Sequence, residues 1–223
     1  MDTSKFTIPY IPVLDSLDLS SNEIIMEEQG LRLPIMYNSW PDQYRYIPVT
    51  AVDLAYTNTG IYLRFQSRGK GLRAQFGKDG DPVHRDSCVE AFIRFPGDER
   101  YYNFEFNCIG TCDASYRLDR NEQTPFTAKQ YSYISRSSSE RTGVLFERPM
   151  GIHYFTVSVK LDFNLFGIQS PDEIPTGILA NFYKCGDDTT IPHYASWHKV
   201  DAPHPDFHRP ESFLPIAFAK REK

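Results

Sequence analysis

The stretch SCVEAFIRF (87–95), the turn PGDER (96–100) and the return YYNFEFNC (101–108) read together as one β-hairpin. In the first arm Val89, Ala91, Ile93 and Phe95 alternate with Cys88, Glu90, Phe92 and Arg94, and a period of two puts each set on its own face. In the second arm Tyr102, Phe104, Phe106 and Cys108 alternate with Tyr101, Asn103, Glu105 and Asn107. Matching apolar face to apolar face makes Glu90, Arg94, Asn103, Glu105 and Asn107 neighbours on a single polar sheet face. Carboxylates, an arginine and amides in one plane suit a hydroxyl-rich ligand, because each forms paired hydrogen bonds. The same pattern also fits the plain solvated face of an antiparallel sheet.

The alternation recurs outward from this hairpin. Val49–Tyr56 and the run through Ile61, Leu63 and Phe65 are separated by the turn residues Thr57-Asn58-Thr59-Gly60. Phe155, Val157, Val159 and Leu161 alternate with Tyr154, Thr156, Ser158 and Lys160, and short strands are expected at 178–185 and 213–219. LDFNLFGI (161–168) predicts a helical turn closed by Gly167. The polar segment 119–148 reads as a long mobile connection. The expectation is an all-β chain: a single antiparallel β-sandwich, jelly-roll or immunoglobulin-like, with few short helices. Residues 1–223 form one domain, with 1–34 as an N-terminal extension packing on it.

A net charge of −5 argues against a nucleic-acid partner, which needs a basic face. No apolar run approaches the ~20 residues that cross a bilayer, so no membrane partner is expected. The start MDTSKFTIPYIPVLDS lacks the marks of an export signal, which predicts a cytoplasmic chain unless a leader has been trimmed. Cys88, Cys108, Cys112 and Cys185 fit free thiols in a reducing compartment, with a Cys108–Cys112 or Cys88–Cys108 bridge as the alternative.

DSCVEAFI (86–93) followed by YYNFEFNCIGT (101–111) resembles the central hairpin of the family 9 carbohydrate-binding modules, whose pattern is W-x-x-D-S-V-E-h-F-I and then a tyrosine-rich strand. FHRPESF (207–213) is similar to that family's closing W-R-x-P-x-x-F-G, and ANFYKCGD (180–187) with PHYASW (192–197) resembles an uncharacterised bacterial branch of it. These motifs stand in order over roughly 35–219. The resemblance implies a sugar-binding β-sandwich, in which two tryptophans sandwich the ring and structural calcium is common. Carried over residue by residue, the motif glutamate falls on Glu90, an arginine on Glu105 and an asparagine on Asn107. The sandwiching tryptophans fall on His84 and Phe207, and a further asparagine on His204. Both tryptophans are thus replaced; phenylalanine can still stack on a sugar, and histidine does so more weakly. Trp197 is either a substitute cleft aromatic or core filler.

The expected function is non-catalytic binding of a mono- or oligosaccharide in a cleft over the polar sheet face. Glu90, Asn107 and Arg94 hold hydroxyls, and Trp197, Phe207 and His84 line the ring-stacking cleft. A separately encoded glycoside hydrolase is the expected protein partner, in bacterial polysaccharide catabolism. Other readings compete. His193, His198, His204 and His208, with Asp201, Asp206 and Glu211 nearby, offer metal ligands, though prolines interrupt every pair. Glu90 and Glu105 could form a retaining glycosidase pair, which needs carboxyls roughly 5–5.5 Å apart. Asp86, Asp113, Asp187 and Asp188 are loop carboxylates for calcium, or turn caps. A haem-binding sandwich would draw on Met1, Met26, Met36 or Met150. A ligandless interaction module completes the set.

Overall fold

The computed structural model describes residues 5–221. Thirteen strands run in order: β1 (Thr7–Ile8), β2 (Leu31–Pro34), β3 (Val49–Tyr56), β4 (Gly60–Ala74), β5 (Cys88–Arg94), β6 (Tyr101–Asn107), β7 (Cys112–Arg117), β8 (Gln123–Pro125), β9 (Ile134–Ser138), β10 (Phe146–Asp162), β11 (Gly177–Cys185), β12 (Tyr194–Ser196) and β13 (Leu214–Phe218). Two short α-helices, α1 (Glu23–Gln29) and α2 (Ala128–Tyr131), and several 3-10 turns complete the chain. An eight-stranded sheet has the order β1-β13-β11-β5-β6-β7-β8, with β12 also paired to β11. A five-stranded sheet has the order β2-β3-β4-β10-β9. Pairing between named strands is antiparallel except where β1 lies parallel to β13.

The alternating apolar residues face one another between the sheets. Val89, Ala91 and Ile93 of β5 and Phe104 and Phe106 of β6 pack against Leu54, Leu63, Phe65, Val157 and Val159, all at most 1% exposed. The hairpin register pairs Glu90 with Glu105 and Cys88 with Asn107, which places the two polar sets on one face. The predicted turn is a 3-10 helix at Phe163–Phe166, and Gly167 closes it at φ +75, where a side chain would be strained.

Segment 119–148 departs from expectation. It is not a mobile connection: β8 extends the larger sheet, α2 carries a Thr127–Gln130 capping box, and β9 pairs with β10 from Ile134 to Ser138. Only Phe126 and Ile134 are buried anchors in it, too few to show a period in the sequence. The ladder beside β10 and the ion pair of Arg136 with Asp79, at 2.6 and 2.8 Å, hold β9 instead. Asp79 also accepts the Cys112 backbone N–H, tying this region to β7. Burial alone would raise the Asp79 carboxyl, but the Arg136 guanidinium and the Cys112 N–H together more than offset it and hold it below its ordinary value. A carboxyl depressed in the folded state adds stability above its unfolded pKa of about 3.9 and loses it as pH falls further. Asp79→Ala is therefore expected to lower stability by about 2 kcal/mol at pH 7 and by less at pH 3. Urea denaturation at the two pH values measures the difference.

The outer face of the smaller sheet carries an ionic cluster under α1. Asp53, fully buried, takes both Arg32 (2.7 and 3.1 Å) and Arg64 (3.1 Å), and Glu23 and Glu27 of α1 lie 3.7 and 3.4 Å from Arg64. Beside it Ile11, Leu14 and Met26 pack on Ala55 and Tyr62, so the N-terminal residues lie against this sheet.

The outer face of the larger sheet is not solvated. Cys88, Phe92, Tyr101 and Tyr183 are capped by Trp40, Val200, Phe207 and Phe213, which form a second apolar cluster. Asn181 pins this lid: its amide N–H group donates to the His198 carbonyl at 3.1 Å, and its oxygen accepts the His198 N–H at 3.1 Å. The Trp40 indole donates to the Ala202 carbonyl at 2.7 Å. The aromatic residues that share this face with Glu90 and Glu105 recruit the C-terminal segment over it, since an apolar patch of that size is costly in water.

Candidate functional site

Where the lid stops, a cleft of about 350 Å³ remains, at the small end of the ~300–1,000 Å³ typical of ligand pockets. Its floor is the polar row of the sheet: Glu90 of β5, Glu105 of β6 and Asp113 of β7 stand side by side in register. Cys185 ends β11 beside them. His84, on the 3-10 turn Val83–Arg85 before β5, forms one wall with Asp187 and Tyr194. The lid segment supplies Pro205, Asp206, Phe207 and His208, and Arg117, Arg120 and Gln123 close the far side.

The electrostatics are those of crowded acids. Glu90 is 3% exposed and Glu105 5%, and they face each other across the ladder. Burial first, and then the charge of Glu105, push the Glu90 carboxyl well above the ordinary range. Burial and Glu105 likewise lift Asp113 to about 6, and burial raises Asp187. The neighbouring Glu105 carboxylate raises the His84 imidazole against the opposing effect of burial. Nδ1 of His84 lies 3.4 Å from Oε2 of Glu105, near enough for charge attraction but not aligned as a hydrogen bond. Oε2 is thus a buried acceptor without a donor, while Oε1 accepts from Asn103 Nδ2 at 3.1 Å. Arg117, 7% exposed, donates to the Ser115 hydroxyl and the Arg120 carbonyl. It has no carboxylate within 4.0 Å among the described residues. His208 is stacked 5.1 Å from Phe92 and bonded to the Tyr101 hydroxyl at 2.9 Å, and burial lowers it to about 4, so its ring is neutral at pH 7.

Of the residues singled out from sequence as sugar ligands, the structure brings Glu90, Glu105, His84 and Phe207 together around the cleft, and Asp113, Asp187, Asp206 and His208 from the metal readings join them. Phe207 is only 8% exposed, and Tyr183 stacks on one of its faces at 4.3 Å, so it is a wall residue rooted in the apolar cluster. Asn107 lies elsewhere: its amide donates to the Phe76 carbonyl and to Asp86, and its oxygen accepts from Ile109 and Thr111. That amide is spent on a backbone turn. Arg94 lies at the opposite end of β5, paired with Leu179 and away from the cleft lining. Trp197 packs on Phe6 at 4.9 Å and on Phe182, beside a separate, less polar hollow of about 440 Å³. His204 is exposed and outside the lining.

The other readings from sequence also find their places. The C-terminal histidines disperse: His193 is buried against Lys184 (3.0 Å) and the Ile191 carbonyl (2.7 Å), and His198 bonds the Ser212 carbonyl. Asp86 accepts from Gln75, Phe76 and Asn107, which occupies its oxygens with protein donors. Met26 is buried under α1, Met36 and Met150 are exposed away from the cleft, and Met1 lies outside the described residues. All four cysteines are buried free thiols, so neither the Cys108–Cys112 nor the Cys88–Cys108 bridge forms; Cys88 instead pairs across strands with Cys185. Sequence reasoning missed Arg117 and Tyr194, and it read Asp113, Asp187 and His208 only as metal-ligand candidates; Asp113 in fact lies within β7 rather than in a loop. For Asp113 and Arg117 a signal existed, since extending the register by one strand sets Asp113 beside Glu105 and Arg117 beside Tyr101.

A β-sandwich with a ligand-sized, hydrogen-bonding cleft over one sheet is an architecture that binding modules share. The sequence profile of carbohydrate-binding family 9 matches residues 20–218, and the chain belongs to that family, whose members are generally non-catalytic. Among solved structures it is similar to a candidate carbohydrate-binding protein from Bacteroides uniformis ATCC 8492, with 26% identity and a TM-score of 0.88, covering 96% of this chain and 98% of that one. A family 9 module from Caldicellulosiruptor kristjanssonii in complex with cellotriose shares the fold at 11% identity and TM-score 0.60, covering 97% and 94% of the two chains. A family 9 module from the same organism in complex with glucose aligns at 12% identity and TM-score 0.55, covering 89% and 88%. No curated protein matches the sequence.

Proposed function

We propose that the chain binds a mono- or short oligosaccharide, without chemistry, in the cleft over Glu90, Glu105 and Asp113. The observation that supports this most is the row of Glu90, Glu105 and Asp113 on the cleft floor, in which Oε2 of Glu105 is a buried acceptor with no hydrogen-bond donor among the described residues. A ligand hydroxyl supplies that donor, and a vicinal pair can bridge Glu105 and Asp113. Arg117, free of any carboxylate partner, donates to ligand oxygens from the far side. Tyr194 and His84 offer the partly exposed rings for C–H contact, while Phe207 contributes an edge. Binding accounts for the site better than hydrolysis, because Glu90 already accepts the Cys185 thiol at 3.0 Å and is sunk at the cleft floor. A separately encoded hydrolase remains the expected partner, with this chain holding its product or substrate.

Glu105→Gln tests the reading. It removes a charge-assisted acceptor worth ~1.5–3 kcal/mol, so affinity is expected to fall roughly 10- to 100-fold. Stability moves the other way. A carboxyl raised in the folded state, as Glu90 is, opposes folding once pH exceeds its unfolded value, and Glu105 is part of the cause. Removing that charge leaves the fold as stable at pH 7 or more so. Calorimetry against glucose, cellobiose and cellotriose, with urea denaturation alongside, reads both. No heat with any sugar for the wild type, or equal affinity in the variant, contradicts the proposal.

A further inference from the structure

Cys88, buried beside the cleft, and Cys185, which lines it, sit directly opposite each other on β5 and β11, and Glu90 follows two residues after Cys88 on the same face. The two Sγ atoms and a Glu90 carboxylate oxygen all lie within 4.8 Å of one another. All three side chains are buried, at 0, 2 and 3% exposure for Cys88, Cys185 and Glu90. No other trio of histidine, cysteine or acidic side chains converges this way among the described residues. Register explains the geometry: with facing partners one above the other and a repeat of two, the third ligand falls on the same side of the sheet.

We infer that Cys88, Cys185 and Glu90 form a binding site for a thiophilic divalent cation, zinc being the physiological candidate. Two observations point to a cation rather than to passive packing. Glu90 is a buried carboxylate that faces a second one, Glu105, and no lysine, arginine or histidine lies within 4.0 Å of it among the described residues. Its one protein donor is the thiol of Cys185. An acid taken out of water without a countercharge is costly, and a dication at this point removes that penalty. Second, Glu90 and Cys185 line the cleft, so the site has an entry path and an open side. Three protein ligands with a fourth position facing a cavity is the arrangement of open zinc sites, and the pair of sulfurs selects zinc over calcium or magnesium. Metal binding forms two metal–sulfur bonds and one metal–oxygen bond, and the two thiol protons, with any proton carried by the Glu90 carboxyl, pass to solvent. The fourth position opens toward the space assigned above to a ligand, so water or a ligand hydroxyl completes the shell. The inference goes beyond sugar binding and stands without it.

The test uses the full chain, kept reduced, loaded in turn with zinc, cobalt and calcium and then dialysed against metal-free buffer. A single zinc retained per chain is expected, with no calcium retained, and cobalt should give thiolate charge-transfer and tetrahedral d–d bands. Cys88→Ala and Cys185→Ser should each lose the retained zinc and the cobalt bands, while His204→Ala keeps both. Circular dichroism confirms that each variant is folded, and the wild-type cobalt spectrum decides the matter if one is not. Zinc retention no higher than in the double cysteine variant, or cobalt without charge-transfer bands, overturns the proposal. So does intact mass of the unreduced protein showing two hydrogens lost across Cys88 and Cys185. Sugar calorimetry repeated in chelator keeps the two claims separate, since either can fail while the other holds.

Discussion

Asp53→Ala is expected to destabilise the protein by about 3 kcal/mol, a large share of the ~5–15 kcal/mol typical of a domain. Asp53 is fully buried and carries the bidentate bond from Arg32 as well as the bond from Arg64. Arg64 is itself 4% exposed, so truncating its partner strands a buried guanidinium. Glu27 and Glu23, 3.4 and 3.7 Å away, take over part of the countercharge, which keeps the loss toward the low end for a broken buried pair. The effect should extend to the register of β2 on β3, because Arg32 faces Asp53 in that ladder. Urea denaturation measures the loss, and hydrogen exchange of β2 shows its reach. A loss below about 1 kcal/mol would mean that the cluster is a surface ion pair in disguise.

Phe207→Ala is expected to cost about 3–4 kcal/mol of stability, whereas His84→Ala should stay within about 0.5 kcal/mol. The two residues are those on which the resemblance in sequence would place the family's sandwiching tryptophans, and the structure gives them different work. Phe207 stacks on Tyr183 at 4.3 Å, lies 6.0 Å from Trp40 and is 8% exposed, so its removal opens a cavity under the lid. The His84 side chain is 42% exposed and touches the site through Glu105 alone among charged groups within 4.0 Å. Thermal denaturation of both variants separates the roles. Equal and small effects would show that Phe207 is a free ring held out for ligand.

Much of this was legible in the residues. The period of two fixed both faces of the central hairpin, and with them the facing pair Glu90 and Glu105. What alternation cannot show is whether a polar face stays wet. Phe92, Tyr101 and Tyr183 on that same face were the clue, because rings beside carboxylates invite a cover, and the C-terminal segment supplies it. The cover explains why amide and arginine residues at the ends of the row, Asn107 and Arg94, fall outside the cleft. β9 was hidden for the opposite reason: ISRSS has one apolar anchor, Ile134, and is held by backbone pairing with β10 and by Arg136. The cross-strand pair Cys88 and Cys185 depends on β5 lying beside β11, a long-range neighbour relation that no local pattern encodes.

The central claim is that a sugar occupies the cleft between the polar row and the lid, and a proton–nitrogen correlation titration with the tightest-binding sugar of the calorimetric panel tests it most directly. The account predicts that backbone amide shifts concentrate at His84, Glu90, Glu105, Asp113, Asp187 and Phe207, and that the Arg117 side chain shifts with them. Shifts centred instead on Phe6, Trp197 and Leu214, around the separate hollow, would contradict it.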